Sequence, residues 1–227
     1  MFRQDRTNPS TAVSNWRGRH ESSKGWPSTA VSSWLNGGLF GGAAVPSSQW
    51  AGIAHASLSL PAATVTWTST DDGLVGDFSE YMDLVVVAYC KSGGAGAWEN
   101  CKLTVNNRTG ASDYAYQHMT GGGGAVSAYA DNTYSAGGIW YPPGTGGSHT
   151  ANAFGACVYH LFDINSTDKF KNGMHMAGST GATNPEATMY VWSSYTTDAV
   201  TEIDLTATND FVAGSTFDLF GVKRAAV

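Results

Sequence analysis

The side chains with catalytic chemistry begin with six histidines: His20, His55, His118, His149, His160 and His175. None stands in a His-x-His, His-Glu-x-x-His or Cys-His spacing, and no Cys-x-x-Cys occurs, so the pattern predicts no metal site. Asp71-Asp72-Gly73 reads as a turn, because a calcium loop needs further oxygen ligands at alternating positions. The run Gly121 to Gly124 lacks the Lys-Ser/Thr pair of a phosphate loop, and no Gly-x-Ser-x-Gly is present. Glycoside hydrolysis needs two paired carboxylates. The acids from Asp77 to Asp218 are scattered, and no spacing selects a pair. The expectation is therefore no catalytic residue, no metal and no cofactor. Cys90, Cys101 and Cys157 are too few for a disulfide scaffold and read as free thiols. A single bridge between Cys90 and Cys101 across one hairpin remains open.

What remains is the chemistry of recognition. Tyr129, Tyr134, Trp140 and Tyr141 lie in a Gly-rich stretch over 118–152. Read as a long loop, such a stretch is functional or leans on a neighbour. Its rings would stack on a glycan or pack at an interface. A second recognition element is a repeat. Pro9 to Trp16 (PSTAVSNW) matches Pro27 to Trp34 (PSTAVSSW) at seven of eight positions, offset by 18 residues. Pro9 and Pro27 favour an extended entry. Val13, Trp16, Val31 and Trp34 are the sizeable apolar groups, and a Trp is a typical pocket anchor. Two identical docking peptides call for two equivalent pockets, as repeated subunits provide. Eighteen extended residues reach at most about 60 Å, and tethering converts two weak contacts into a firm attachment.

The elements that must position these residues follow from periodicity. Residues 1–50 show no sustained period of 2 or 3.6 and read as an extended arm, with Gly37-Gly38 and Gly41-Gly42 as a hinge. Beyond it, alternation predicts about eight strands. They lie at 57–60, 64–69, 81–90, 100–106, 153–164, 187–193, 199–206 and 215–223. Val65 and Trp67 share a face, as do Cys101, Leu103 and Val105. Met189 and Val191 oppose Tyr190 and Trp192. One short helix is expected near Ser166 to Asn172, capped by Ser166 or Thr167 and ended by Gly173.

Composition narrows the class. Only 13% of residues are charged, while 42% are hydrophobic and 28 are glycine. That favours strands and turns over helices with solvated faces. The net charge of −6 argues against bulk nucleic-acid binding. Arg3, Arg6, Arg17, Arg19 and Lys24 against Asp5 and Glu21 give residues 1–34 a net charge of +3. The remaining 7 basic and 16 acidic side chains give the body −9. A basic arm on an acidic body implies two jobs, the arm docking a partner. The opening Met-Phe-Arg-Gln-Asp-Arg has no apolar leader, and Leu84 to Ala88 is too short to span a bilayer. No membrane partner is expected, and the chain is expected to be made in a cytoplasm.

Two segments resemble a known group. Asn106 to Tyr116 (NNRTGASDYAY) is similar to an NNDTGSNYxY element of tailed-bacteriophage structural proteins. Ala199 to Leu205 and Asn209 to Val222 resemble their usual ending, a strand, a turn and a final strand of the form FxxGSxFxLYGI. Tyr81 to Leu84 also fits. The sequence departs at Arg108, where the pattern has an acid, and at Phe220, where it has Tyr. The resemblance covers roughly 78–223 and implies a jelly-roll-like antiparallel β-sandwich used in virion proteins, often as homotrimers.

The expectation is thus an all-β chain, with an extended docking arm over 1–50 and a jelly-roll-like sandwich over 51–227. Its expected place is the virion, as a decoration, cement or head-fibre subunit. The arm would hold the major capsid protein or another virion protein. The alternative is a tail-fibre or receptor-binding component that touches host glycan through the aromatic stretch. A free carbohydrate-active enzyme or lectin ranks third.

Overall fold

The computed structural model describes residues 49–95, 99–122, 125–137, 139–140, 152–179 and 186–224. The docking peptides, the arm arginines and Tyr141 lie outside the described residues, as does the side chain of Trp140. One compact unit runs from Trp50 to Arg224.

The chain is all-β. Its first strands are β1 (Trp50–Ser57), β2 (Ala62–Thr68), β3 (Asp83–Cys90) and β4 (Cys101–Val105). A hairpin follows, β5 (Tyr114–Gly122) and β6 (Ala125–Tyr134), then the short β7 (Ile139–Trp140) and β8 (Gly155–Phe162). The last four are β9 (Lys171–Ser179), β10 (Glu186–Ser194), β11 (Glu202–Phe211) and β12 (Thr216–Val222). One 3₁₀ turn, Phe78–Glu80, precedes β3. Asp77 caps it by accepting the Ser79 amide at 2.9 Å.

Every strand pairing is antiparallel. The large sheet has the order β1-β12-β3-β8-β9-β10-β5-β6, and the small sheet the order β2-β11-β4-β7. With the two hairpins β5-β6 and β9-β10 set aside, eight strands remain. They run first-last-third-sixth in one sheet and second-seventh-fourth-fifth in the other. That is the double Greek key of a jelly roll. The two hairpins insert after the fourth and sixth of those strands and widen one sheet by four.

The core lies between the small sheet and the β1-β12-β3-β8 half of the large one. Val65 and Trp67 of β2, Leu103 and Val105 of β4, and Ile203 and Leu205 of β11 meet Leu84 and Val86, Phe217 and Leu219, and Tyr159 and Leu161. Period-two alternation puts each pair on one face of its strand. Leu84, Val85 and Val86 are buried as a run, whereas Val87 faces outward and is partly exposed. Cys90, Cys101 and Cys157 are free and buried in this core. Close approach fixes two glycines: a Cβ on Gly221 would sit 2.2 Å from the Tyr81 ring, and one on Gly173 would sit 2.3 Å from Trp192.

Several expectations change. The stretch 118–152 is not one long loop. β5 and β6 pair from Tyr114↔Tyr134 to Gly122↔Ala125, with one register shift between Tyr114 and Tyr116. Small residues such as Gly and Ala carry little apolar contrast, so period two is faint there. No helix forms at 166–172. Ser166 Oγ bonds Asp168 at 2.5 Å instead of capping a helix, and Lys171 opens β9. Lys171, Gly173, His175 and Ala177 all point inward, so the strand period prevails. The first strand is Trp50–Ser57 instead of 57–60. Its inner residues are Ala51, Ile53, Ala54 and Ala56, and the register shift between Gly52 and Ala54 breaks the period of two.

The two segments that resemble phage proteins are fastened to each other. Asn106 and Asn107 turn the chain after β4 with φ of 52° and 55°, a conformation Asn tolerates. Asn106 Nδ2 donates to the Ala199 carbonyl at 2.8 Å, and its Oδ1 accepts from the amides of Thr201 at 2.8 Å and Glu202 at 3.2 Å. Arg108 pairs with Asp113 at 2.6 Å, and Asp113 also accepts the Gly110 amide. The Val105 amide donates to the buried Tyr114 hydroxyl at 2.9 Å. After β11, Gly214 takes φ 88° and turns the chain into β12.

Asn106→Ala removes four hydrogen bonds, the fourth a long one from Thr201 Oγ1 at 3.4 Å, and leaves a Cβ residue without side-chain compensation at positive φ. We expect a loss of about 2–4 kcal/mol and a fall in Tm of roughly 5–15 °C. A calorimetric change under about 2 °C would show that the 199–202 segment is held by other means.

Candidate functional site

The small sheet has four strands and the large sheet eight, so the inner face of β9-β10-β5-β6 needs other cover. Aromatic rings supply it. Register places Tyr159 opposite His175, His175 opposite Tyr190, Tyr190 opposite His118, and His118 opposite Tyr129. The result is one row of rings crossing five neighbouring strands. Centroids along it are 4.7, 4.3, 4.5 and 5.8 Å apart. His175 and Tyr190 are stacked with only 16° between their planes. Such spacings match favourable ring packing.

Burial falls along the row. Tyr159, His175 and Tyr190 are buried, His118 is half-buried, and Tyr129 is 54% exposed. Tyr116, two residues along β5 from His118 and on the same face, joins the exposed end. It stacks on His118 at 5.7 Å, meets Tyr134 edge-on at 5.1 Å, and lies 6.1 Å from Tyr129. Lys102 of the small sheet sits with Nζ 5.8 Å above the Tyr134 ring, within cation–π range.

The structure thus brings together two of the four aromatics singled out in the sequence, Tyr129 and Tyr134, around Tyr116. Trp140 belongs to β7, whose backbone pairs with Cys101 of β4 in the other sheet. The sequence reading missed Tyr116, His118 and Tyr190 as members of one set. Tyr114-x-Tyr116-x-His118 and Tyr190-x-Trp192 do carry an alternating aromatic signal, but only the pairing of β9, β10, β5 and β6 unites them. His175 is buried in the row.

Polar atoms border the rings. His118 Nδ1, Thr188 Oγ1 and Trp192 Nε1 have no hydrogen-bond partner among the described residues. Burial holds the His118 imidazole below its ordinary value of 6.5. At the β5-β6 register shift the sheet opens a cleft of about 660 Å³, lined by Tyr116, Gln117, Asp131, Asn132, Asn172 and Trp192, among others. Asp131 is held below the usual carboxylate range by the Thr133 amide and hydroxyl at 2.8 and 2.9 Å. By alternation Gln117, Ala130, Asn172, Val191 and Ser193 face away from the row of rings, so the cleft opens chiefly on the other face of the sheet, apart from the exposed rings of Tyr129 and Tyr134.

Asp83 and Asp204 serve structure. Asp83 bonds His160 Nε2 at 3.0 Å and the Asp163 amide at 2.8 Å, and Asp204 accepts from Thr66 at 2.5 Å. Among the described residues no group of three or more His, Cys, Asp or Glu is arranged to hold a metal ion. No described helix is long and apolar enough to cross a membrane.

No protein-family model and no curated protein matches the chain. Among solved structures it aligns with the CBM2 module of Lactobacillus casei BL23 phage J-1 evolved Dit, at 8% identity and a TM-score of 0.16. The alignment covers 72% of this chain and 70% of that one. At that score it carries no argument about fold or function.

The half-buried ring stack makes a direct prediction. In an NMR titration the His118 ring should show its midpoint below 6.5, because burial disfavours the imidazolium. Tyr129→Ala exposes one face of that ring and should move the midpoint up toward 6.5. A wild-type midpoint at or above that value would refute the packed stack.

Proposed function

We propose that this chain is a structural protein of a tailed-bacteriophage virion, a capsid-associated decoration, cement or head-fibre subunit. Residues 1–50 attach it to the major capsid protein or another virion protein through Trp16 and Trp34 and the flanking Pro and Val residues. Arg3, Arg6, Arg17 and Arg19 add attraction to an acidic shell, weakened by salt. The jelly-roll body projects from the shell or bridges subunits, and it is not an enzyme. The observation that supports this reading is the Asn106 latch. It joins the two segments resembling phage proteins inside a double-Greek-key sandwich, so the residues of the resemblance have a mechanical task.

A second reading, a tail-fibre or receptor-binding component, is favoured by the half-exposed, mutually packed rings of Tyr116, Tyr129 and Tyr134. On that reading the rings stack on host glycan.

Copy number per purified virion, measured against the major capsid protein, separates the two. Tens to hundreds of copies support the shell; about three to eighteen support the tail or a unique vertex, given the symmetries of such assemblies. Trp16→Ala with Trp34→Ala should abolish incorporation, while either change alone weakens it. Normal incorporation of the double variant would refute the docking role of the repeat. Tyr129→Ala with Tyr116→Ala should reduce adsorption to host cells only if the second reading holds.

A further inference from the structure

The outer face of the large sheet carries a pattern that neither reading uses. Register aligns Met119, Met189, Met176, Val158 and Val87 in one row across β5, β10, β9, β8 and β3. All five are exposed; Met176, at the centre, is 58% exposed and Val158 44%. Two residues along each strand, a parallel row holds Gly121, Ala187, Gly178, Ala156 and Tyr89. Its small members leave a trough of about 540 Å³, closed at one end by the stacked rings of Tyr89 and Phe154, whose centroids are 5.3 Å apart. The face therefore carries a ridge of Met and Val about 6.8 Å from a parallel groove of Gly and Ala. None of the four pairings across these five strands has a register shift in this region, so ridge and groove stay straight relative to each other.

We propose that this face binds a second copy of the same chain, the ridge of each copy lying in the groove of the other. A two-fold axis in the plane of contact, parallel to the rows and midway between them, turns ridge onto groove and groove onto ridge. It sets β9 over β9, with Met176 of one copy above Gly178 of its partner. Such self-complementarity is what an isologous contact requires. An unrelated partner would need only one of the two features.

The face itself is free of the charge that the rest of the body carries. The body has a net −9, so two bodies repel over most of their surfaces and can approach only through a neutral face. Ridge and groove contain no Lys, Arg, Asp or Glu. Glu186, on the rim of the trough, belongs by alternation to the opposite face of β10. Methionine suits such a contact because it adapts its shape to small gaps.

Size sets the strength. Five strands span about 19 Å and the two rows about 14 Å, so ridge and groove cover roughly 270 Å² of sheet per copy, the scale of a weak, transient contact. The contact is weak in dilute solution and gains where copies are held close together. It differs from the homotrimer that the family resemblance implies, and it holds whether the chain sits on a head or a tail.

Sedimentation equilibrium of the full chain, up to about 500 µM, tests it. The expected result is a monomer–dimer equilibrium. Met176→Glu should weaken it at least about tenfold, because two charges would be buried per dimer. That variant keeps a folded monomer, as position 176 is exposed. Met176→Cys with Gly178→Cys should give a disulfide-linked dimer on mild oxidation. A Cβ at 178 makes only an ordinary contact, 3.5 Å from the Glu186 carbonyl. The native thiols are buried. A monomer throughout, a trimer, or a dimer that Met176→Glu leaves unchanged would overturn the proposal.

Discussion

The two sheets differ in width, and much of the molecule answers to that difference. Four strands cover four, and the other half of the large sheet extends about 19 Å past the last shared strand. An antiparallel sheet leaves one face wet at no cost if its side chains are polar. Here the overhang carries Tyr and His instead. Rings are large enough to shield each other edge to face and face to face, so a single layer can exclude water without a second sheet above it. The polar tips of Tyr and His tolerate the wet end. The row accordingly passes from closed core at Tyr159 to solvent at Tyr129.

The same arrangement explains why the hairpins could be inserted without disturbing the sandwich. Both lie outside the eight strands that form the double Greek key, and they pair with each other through β10 and β5. The core keeps its own fasteners. Asn165 Nδ2 reaches the carbonyls of Phe78, Ser79 and Tyr81, and Asn106 holds the approach to β11. Each amide satisfies backbone groups where the chain leaves regular pairing and would otherwise bury them unpaired. Arg108 has Asp113 within 2.6 Å, so its charge is paired inside the turn.

Strands with contrast between their faces were readable from sequence. Val65 and Trp67, Cys101 to Val105, and Tyr190 with Trp192 alternate large apolar groups with polar ones, and the structure buries the expected face. Asn106, Asn107 and Gly214 stand where the backbone takes angles that few residue types accept. β1, β6 and β9 were not readable from sequence. Their sequences mix small residues with isolated larger ones and show no sustained contrast between faces, and what makes them strands is their pairing with neighbours. Ser166 followed by acidic and basic residues imitates a helix start, yet seven residues cannot outweigh a strand whose alternate positions already fill the core. Of the aromatic set, Tyr129 and Tyr134 could be picked out singly. Their grouping with Tyr116 and His118 depends on cross-strand register, which no local pattern encodes.

The three cysteines give the fold an internal clock. Burial pushes the Cys101 thiol up to about 12, and raises Cys90 and Cys157 as well, so almost none is thiolate at neutral pH. They lie on β3, β4 and β8, one from the small sheet and two from the large. A reagent reaches them only when the two layers separate. The rate at which a thiol probe labels the native protein therefore counts the openings of the sandwich itself, with no engineered reporter.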